Sequence, residues 1–273
     1  MDKQTTELKS QTPKKASGNF IKWVRSLSLK KNRDDQGCFV AEGMKLVVDT
    51  LAYFECIALV ATKEWFESVQ EPVKSYMVAP VVASREQMQR MSQFSTPSDV
   101  LAVYKIPQRN VSGGEIRSNL NIVLDGVQDP GNLGTIVRVA DWFGISDVFC
   151  SESTADIYSH KAIQATMGAI SRVRVHYCEL CDLLSRHSDL PIYGTFLNGE
   201  NIYNAELSEK GFIVFGSEGH GISDKVSKII NRRLLIPSYP SGVDTSESLN
   251  VSVAAAITVN EFRRRLSSNL QVH

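Results

Sequence analysis

Three apolar runs in the second half of this 273-residue chain each break into Gly, Pro, Asn and Ser, and no other feature constrains the fold as tightly. The first segment is LDGVQDPGNLGTIVRVA (Leu124 to Ala140). The second is IVFGSEGHGI (Ile213 to Ile222), and the third is LLIPSYPSGVDTSESLNVSVAAA (Leu234 to Ala256). A continuous apolar run ending in turn residues reads as a buried strand, and two of the three resume as helix. This is the layout of ligand loops at the carboxyl ends of parallel strands.

The rest of that half alternates in the same way. Strands are expected at Asn121–Asp125, Asp147–Cys150, Arg172–Tyr177, Pro191–Leu197, Gly211–Gly216 and Arg233–Pro237. Helices are expected near Leu133–Phe143, His160–Ala169, Cys181–Arg186, Ser223–Ile230 and Val251–Leu266. Such alternation predicts an α/β domain whose mostly parallel sheet is covered on both faces.

Within the first segment, Asp129-Pro130-Gly131-Asn132 is a turn signal, and Asn132 can cap the next helix. Arg138 interrupts the apolar helix IVRVADWF, either as a surface residue or facing the loop. In the second segment, the glycines around Glu218 permit close backbone approach to a ligand, or form only a turn before Ser223. The run is not GxGxxG, and it comes late in the chain, where a dinucleotide-binding fold would place its glycines after the first strand. In the third segment, Ser248-Leu249-Asn250 precedes a long helix and supplies two favoured N-cap types.

In this order and content the segments resemble the SpoU (TrmH) family of RNA 2′-O-ribose methyltransferases, over roughly residues 20 to 266. The resemblance implies a SPOUT-type parallel sheet with a deep C-terminal trefoil knot, S-adenosyl-L-methionine as methyl donor, no metal, and a homodimer. It marks Asn132, Arg138, Glu218, Ser248 and Asn250 as the catalytic set. It marks Gly216, Ile236 and Leu249 as main-chain and apolar cofactor contacts, with Glu218, Gly219 and Asn250 beside them and Leu197, Asn198 and Gly199 as an added wall. Between Ile236-Pro237 and SLN this chain carries SYPSGVDTSE, longer than in many members of the family. A non-catalytic RNA-binding protein on the same fold would lack the Arg of the first segment or SLN. A Rossmann-type enzyme would carry an early GxG loop.

The first half reads differently. Residues 1–17 are polar and aperiodic, hence a disordered tail. FIKWVRSLSLKKNR reads as one amphipathic helix. Further elements follow as strands at Cys38–Gly43, Glu55–Thr62, Tyr76–Val82 and Asp99–Tyr104, with helices at Met44–Phe54, Glu64–Gln70 and Arg85–Met91. Residues 18–105 thus form a small N-terminal α/β domain, which looks like the substrate-binding domain found in front of SpoU catalytic domains. Residues 106–120, with Gly113-Gly114, read as a linker, and 121–273 as the catalytic domain.

The formal net charge is zero, but nine basic side chains lie within residues 1–33, against Asp2 and Glu7. Local clusters govern phosphate contact more than the sum does, so RNA remains the expected partner, ribosomal ahead of transfer RNA. The triplet Arg263-Arg264-Arg265 is either a second basic patch or a helix end favoured by the dipole. No run is long enough to span a bilayer, and the N-terminus is not a signal peptide, which makes the cytoplasm the default. Cys178-x-x-Cys181 has no second pair or nearby histidines, so structural thiols are expected.

Overall fold

The computed structural model describes residues 14–69, 80–108, 112–240, 243 and 246–270. It divides into two units, Met1–Gln108 with Tyr158–His160, and Arg109–Ile157 with Lys161–His273.

The first unit contains β1 (Lys14–Lys15), α1 (Gly18–Ser26), α2 (Lys30–Gln36), β2 (Cys38–Glu42), α3 (Met44–Thr50), β3 (Cys56–Ala61), α4 (Lys63–Ser68), β4 (Pro80–Val82), α5 (Arg85–Met91) and β5 (Val100–Lys105). Its sheet runs β1-β4-β3-β5-β2, with β5 antiparallel to both neighbours. Val60, Leu101 and Val103 from the strands meet Val24, Leu27 and Met88 from α1, the turn after it and α5 in one apolar core.

Two expectations change in this unit. Residues 1–13 of the expected tail, and the start of the Tyr76–Val82 strand, lie outside the described residues. Within the supposed tail, however, Lys14 and Lys15 pair with Val81 and Val82, and Ala16 is buried. The single helix from Phe20 to Arg33 is two. Arg33 is buried, and its Nη1 donates to the carbonyls of Leu27 and Ser28, both at 2.8 Å. Those carbonyls lie where α1 ends and have no helical partner, and the guanidinium takes up both. Arg33 therefore leaves the basic cluster that its position in sequence implied.

The second unit contains α6 (Gly113–Ser118), β6 (Leu120–Asp125), α7 (Pro130–Trp142), β7 (Asp147–Cys150), α8 (His160–Thr166), β8 (Arg174–Tyr177), α9 (Leu180–Ser185), β9 (Ile192–Asn201), β10 (Gly211–Gly216), α10 (Asp224–Ser227), β11 (Arg232–Leu235) and α11 (Val251–Leu270). Six parallel strands run β11-β9-β10-β6-β7-β8. The chain builds outward from β6 through β7 to β8, then crosses to the other side, and β10 inserts between β9 and β6. Gly216 stands opposite Asp125 in the β10–β6 register, so these two strand ends lie abreast at the switch point. Ligands of open α/β sheets bind at such a point. Val123, Phe149, Ile192, Phe212 and Val214 fill the core with Leu183 and Leu184 of α9.

The supposed linker holds a helix. Ser112 Oγ accepts the Glu115 amide at 3.2 Å, and Glu115 Oε2 accepts the Ser112 amide at 3.0 Å, a reciprocal cap. Ile116 of α6 is buried in the second core, so Gly113-Gly114 opens a helix rather than a loop. The Arg triplet also departs from expectation, because α11 runs on past it to Leu270. Arg263 donates to the Phe143 carbonyl at 2.9 Å. Arg264 and Arg265 both bond Glu261, and Arg265 also reaches the Ile202 carbonyl at 2.8 Å. Arg263 and Arg265 fasten α11 to its own domain, and the triplet is neither a free basic patch nor a helix end.

Candidate active site

Pro130 occupies the first turn of α7 and Asp129 caps it, its Oδ1 accepting the Asn132 amide at 2.9 Å. Lys161 Nζ lies 2.5 Å from Asp129 Oδ2, and with the Asn132 amide it holds the Asp129 carboxyl below the usual carboxylate range. The cap fixes where the Asn132 side chain stands, at the carboxyl end of β6.

Asn132 then joins the three segments. Its Nδ2 donates to Glu218 Oε1, and its Oδ1 accepts Asn250 Nδ2 at 3.0 Å. The direction of this chain is set at α11. Asn250 Oδ1 accepts the amides of Ser252 at 3.0 Å and Val253 at 3.3 Å, and the Ser252 hydroxyl at 2.6 Å. With its oxygen committed to the helix start, Asn250 can present only its NH2 to Asn132. Asn132 must then accept with Oδ1 and donate with Nδ2, which meets the carboxylate of exposed Glu218.

The second segment closes on itself. Ser217 and Gly221 exchange backbone hydrogen bonds at 3.0 and 2.9 Å, and Gly221 takes a φ of +65°. A Cβ on Gly216 would stand 2.0 Å from the Gly221 carbonyl carbon. Glycine at 216 is thus required by the loop itself, before any ligand is considered. Of the two readings offered by the sequence, the turn by itself is enough to demand glycine here. Gly219 is different, since a Cβ there would meet nothing within 4 Å. Asp125, at the end of β6, ties the segments together by accepting the Ser223 amide at 2.8 Å on Oδ2. Sequence reasoning passed over Asp125 and Lys161. Their only sequence signal is a lone acid closing an apolar strand and a lysine near a helix start.

The expected cofactor wall lies on β9, which is longer than expected. The β9–β11 register jumps from Arg233↔Gly194 to Leu234↔Glu200, so residues 195–199 bulge between the two pairings. Leu197 on this bulge is 77% exposed, and Asn198 is exposed. Gly199 is held against β11, where a Cβ would come within 2.5 Å of Leu234 backbone. Arg233 steadies the bulge, with its guanidinium 4.0 Å over the Phe196 ring and Nη2 2.9 Å from Ser227 Oγ. Leu249 is half exposed and Ile236 half buried.

Arg138 and Ser248 stand outside the hydrogen-bonded chain. Both are exposed, and neither side chain makes a hydrogen bond or ion pair among the described residues. His220 is exposed, with its amide on Ser217 Oγ. Cys178 and Cys181 are free thiols against the core, and burial pushes Cys178 above its usual range. Among the described residues no group of His, Cys, Asp and Glu could hold a metal ion.

Residues 18–102 match the MRM3-like substrate binding domain, and residues 119–260 match the SpoU rRNA methylase family. The chain is 29% identical over 255 residues to the 23S rRNA (guanosine(2553)-2′-O)-methyltransferase of Bacillus subtilis, covering 91% of this chain and 97% of that one. A TrmH-family protein from Porphyromonas gingivalis has a solved structure with TM-score 0.81 and 41% identity, covering 92% of this chain and 99% of that one. An rRNA methyltransferase from Sinorhizobium meliloti, solved with S-adenosylmethionine bound, has TM-score 0.80 and 26% identity, covering 93% of this chain and 98% of that one. A chain matched over more than half its length, with all three motif segments at the strand ends and relatives along nearly its whole span, belongs to the SpoU rRNA methylase family.

Proposed function

We propose that this chain transfers the methyl group of S-adenosyl-L-methionine to a ribose 2′-hydroxyl of RNA, ribosomal RNA in particular. The observation that carries this is the Asn250–Asn132–Glu218 chain at the switch point of a SpoU-family sheet. The named activity of the Bacillus relative supports it, as does the bound cofactor of the Sinorhizobium structure.

The residues present fit the cofactor. Leu197 and Leu249 offer uncovered apolar surface suited to an adenine, and Ile236 lies just beyond β11. The open space at Gly219 lets a ligand approach the main chain. A carboxylate at Glu218 suits a neighbouring sulfonium. When bound, the cofactor supplies an electrophilic methyl group. The protein has to hold the ribose oxygen in line and lower the cost of losing its proton, and positioning alone contributes much of the acceleration. Asn132, oriented by Asn250, holds Glu218 in place. The exposed guanidinium of Arg138 has no internal partner among the described residues, so it is available to clamp a ribose phosphate bidentately. A guanidinium holds its proton too firmly to serve as a base. Ser248 lies two residues before Asn250, at the start of α11.

In this reading residues 18–105 bind RNA, and the enzyme works as a homodimer in the cytoplasm. Trp142 on α7 is 85% exposed and Val253 on α11 is 46% exposed, uncovered apolar groups that a second copy would cover. Membership of the SpoU family is what supports a C-terminal knot.

Mapping 2′-O-methyl groups in ribosomal and transfer RNA from strains with and without the gene, then restoring the modification with purified protein and S-adenosylmethionine, tests the proposal. One ribosomal ribose should lose and regain its methyl group. An unchanged map in both RNAs would sink it.

A further inference from the structure

The first unit carries a groove of about 840 Å3 that the methyl-transfer site does not use. One side is formed by α1 and the turn after it, the other by α5 and the loop that follows. Three of its lining side chains are cationic, Lys22, Arg25 and Arg90, and none is acidic. Arg25 donates to the Ser92 carbonyl, which binds the two walls together. The side chains of Lys22 and Arg90 are exposed and make no ion pair or hydrogen bond among the described residues.

The far wall is held in place from inside. Buried Glu42 accepts Ser92 Oγ at 2.5 Å, the Gln93 amide at 3.2 Å and the Ser98 amide at 3.3 Å. The loop that carries Phe94 is therefore ordered before any partner arrives, which lowers the cost of binding. Leu29, at 62% exposure, and half-buried Phe94 add apolar surface beside the cations.

Cations with no counter-charge among the described residues, set in a fixed groove, call for an anionic partner, and apolar faces between them call for something flat. A duplex offers phosphates but keeps its bases stacked inside, whereas unpaired RNA offers both. The geometry points to this groove as the seat of a single-stranded RNA segment, with phosphates on Lys22, Arg25 and Arg90 and an unstacked base against Leu29 and Phe94. The inference rests on the methyltransferase reading only in taking RNA as the partner.

The test uses the full chain, the double variant Lys22→Gln/Arg90→Gln, and a labelled single-stranded RNA oligonucleotide of mixed sequence. Each lost phosphate contact lowers the slope of log affinity against log salt by about 0.7. At ~0.1 M salt the pair should together weaken binding more than tenfold. S-adenosylmethionine affinity and the melting temperature should not change, because neither side chain holds another residue. Leu29→Ser should weaken binding with no change in slope, since it removes an apolar contact and no charge. A double variant that binds this RNA as the parent does, with the same salt slope, overturns the groove. A parent protein that binds no single-stranded RNA overturns it as well. A parent protein that binds neither RNA nor S-adenosylmethionine would instead overturn the methyltransferase reading.

Discussion

Arg138 shows how little a residue's local setting reveals about its use. It sits two turns into α7, exposed, with no partner among the described residues, so the fold gains almost nothing from it. Arg138→Ala should leave stability within about 0.5 kcal/mol of the parent, as exposed substitutions generally do. If the guanidinium clamps the substrate, the same change should lower turnover about 100-fold with S-adenosylmethionine affinity intact. Arg138→Lys should recover only part of that, because an ammonium lacks the planar fork. Turnover near the parent's in Arg138→Ala would remove Arg138 from the site. Gly216 teaches the opposite lesson. Its glycine is demanded by backbone 2.0 Å away, so a substitution there breaks the loop and cannot report on cofactor contact.

At the scale of elements, α11 matters most, because the site lies at its start and its third and fourth turns carry the anchor. Asn250 at its start orients Asn132. Three turns on, Glu261 is 3% exposed and bonds Arg264 and Arg265 at 2.8 Å, and Arg265 reaches the Ile202 carbonyl that follows β9. Arg264, then Arg265, holds the Glu261 carboxyl below its usual range despite its burial. A depressed folded pKa gives stability that is present above the unfolded value, about 4.3, and lost as pH falls through the folded one. Glu261→Gln should therefore cost on the order of 2 kcal/mol at neutral pH, the worth of a charged hydrogen-bonded group. The difference from the parent should shrink as acid titrates the parent's carboxyl. Urea unfolding at neutral and acid pH measures both. An equal difference at the two values would contradict this role for Glu261.

At the scale of the whole molecule, each unit closes its own core, one around Val60 and Val103 and the other around Val123 and Phe212. Separate cores are what independent folding requires. A fragment starting at residue 109 keeps α6, whose Ile116 belongs to the second core, whereas a cut at residue 120 would strip it. The fragment from 109 onward should fold and bind S-adenosylmethionine while losing most affinity for RNA. Circular dichroism, calorimetric titration and filter binding would check the three in turn. Native RNA methylated as well by the fragment as by the full chain would show that residues 18–105 are not the substrate reader.

Much of this was written locally. The apolar runs ending at Asp125 and Gly216, the Pro130 helix start, and the Asn250 cap follow from adjacent residues, because turns, caps and buried strands are decided within a few positions. That is why the α/β class and the three segments were legible. The helix at Gly113–Ser118 had a local signal in Ser112 and Glu115, but Gly113-Gly114 led to the reading of a linker. What the sequence could not set is distance between remote residues. Asn132 meets Glu218 across 86 positions and Asn250 across 118. The insertion of β10 beside β6, in the register that sets Gly216 against Asp125, brings Glu218 to Asn132, and the packing of α11 on α7 brings Asn250. The fates of Arg33 and the Arg263 to Arg265 triplet were decided in the same way. A basic side chain reads identically in sequence whether it faces phosphate or a helix-end carbonyl, and only the packed chain distinguishes the two.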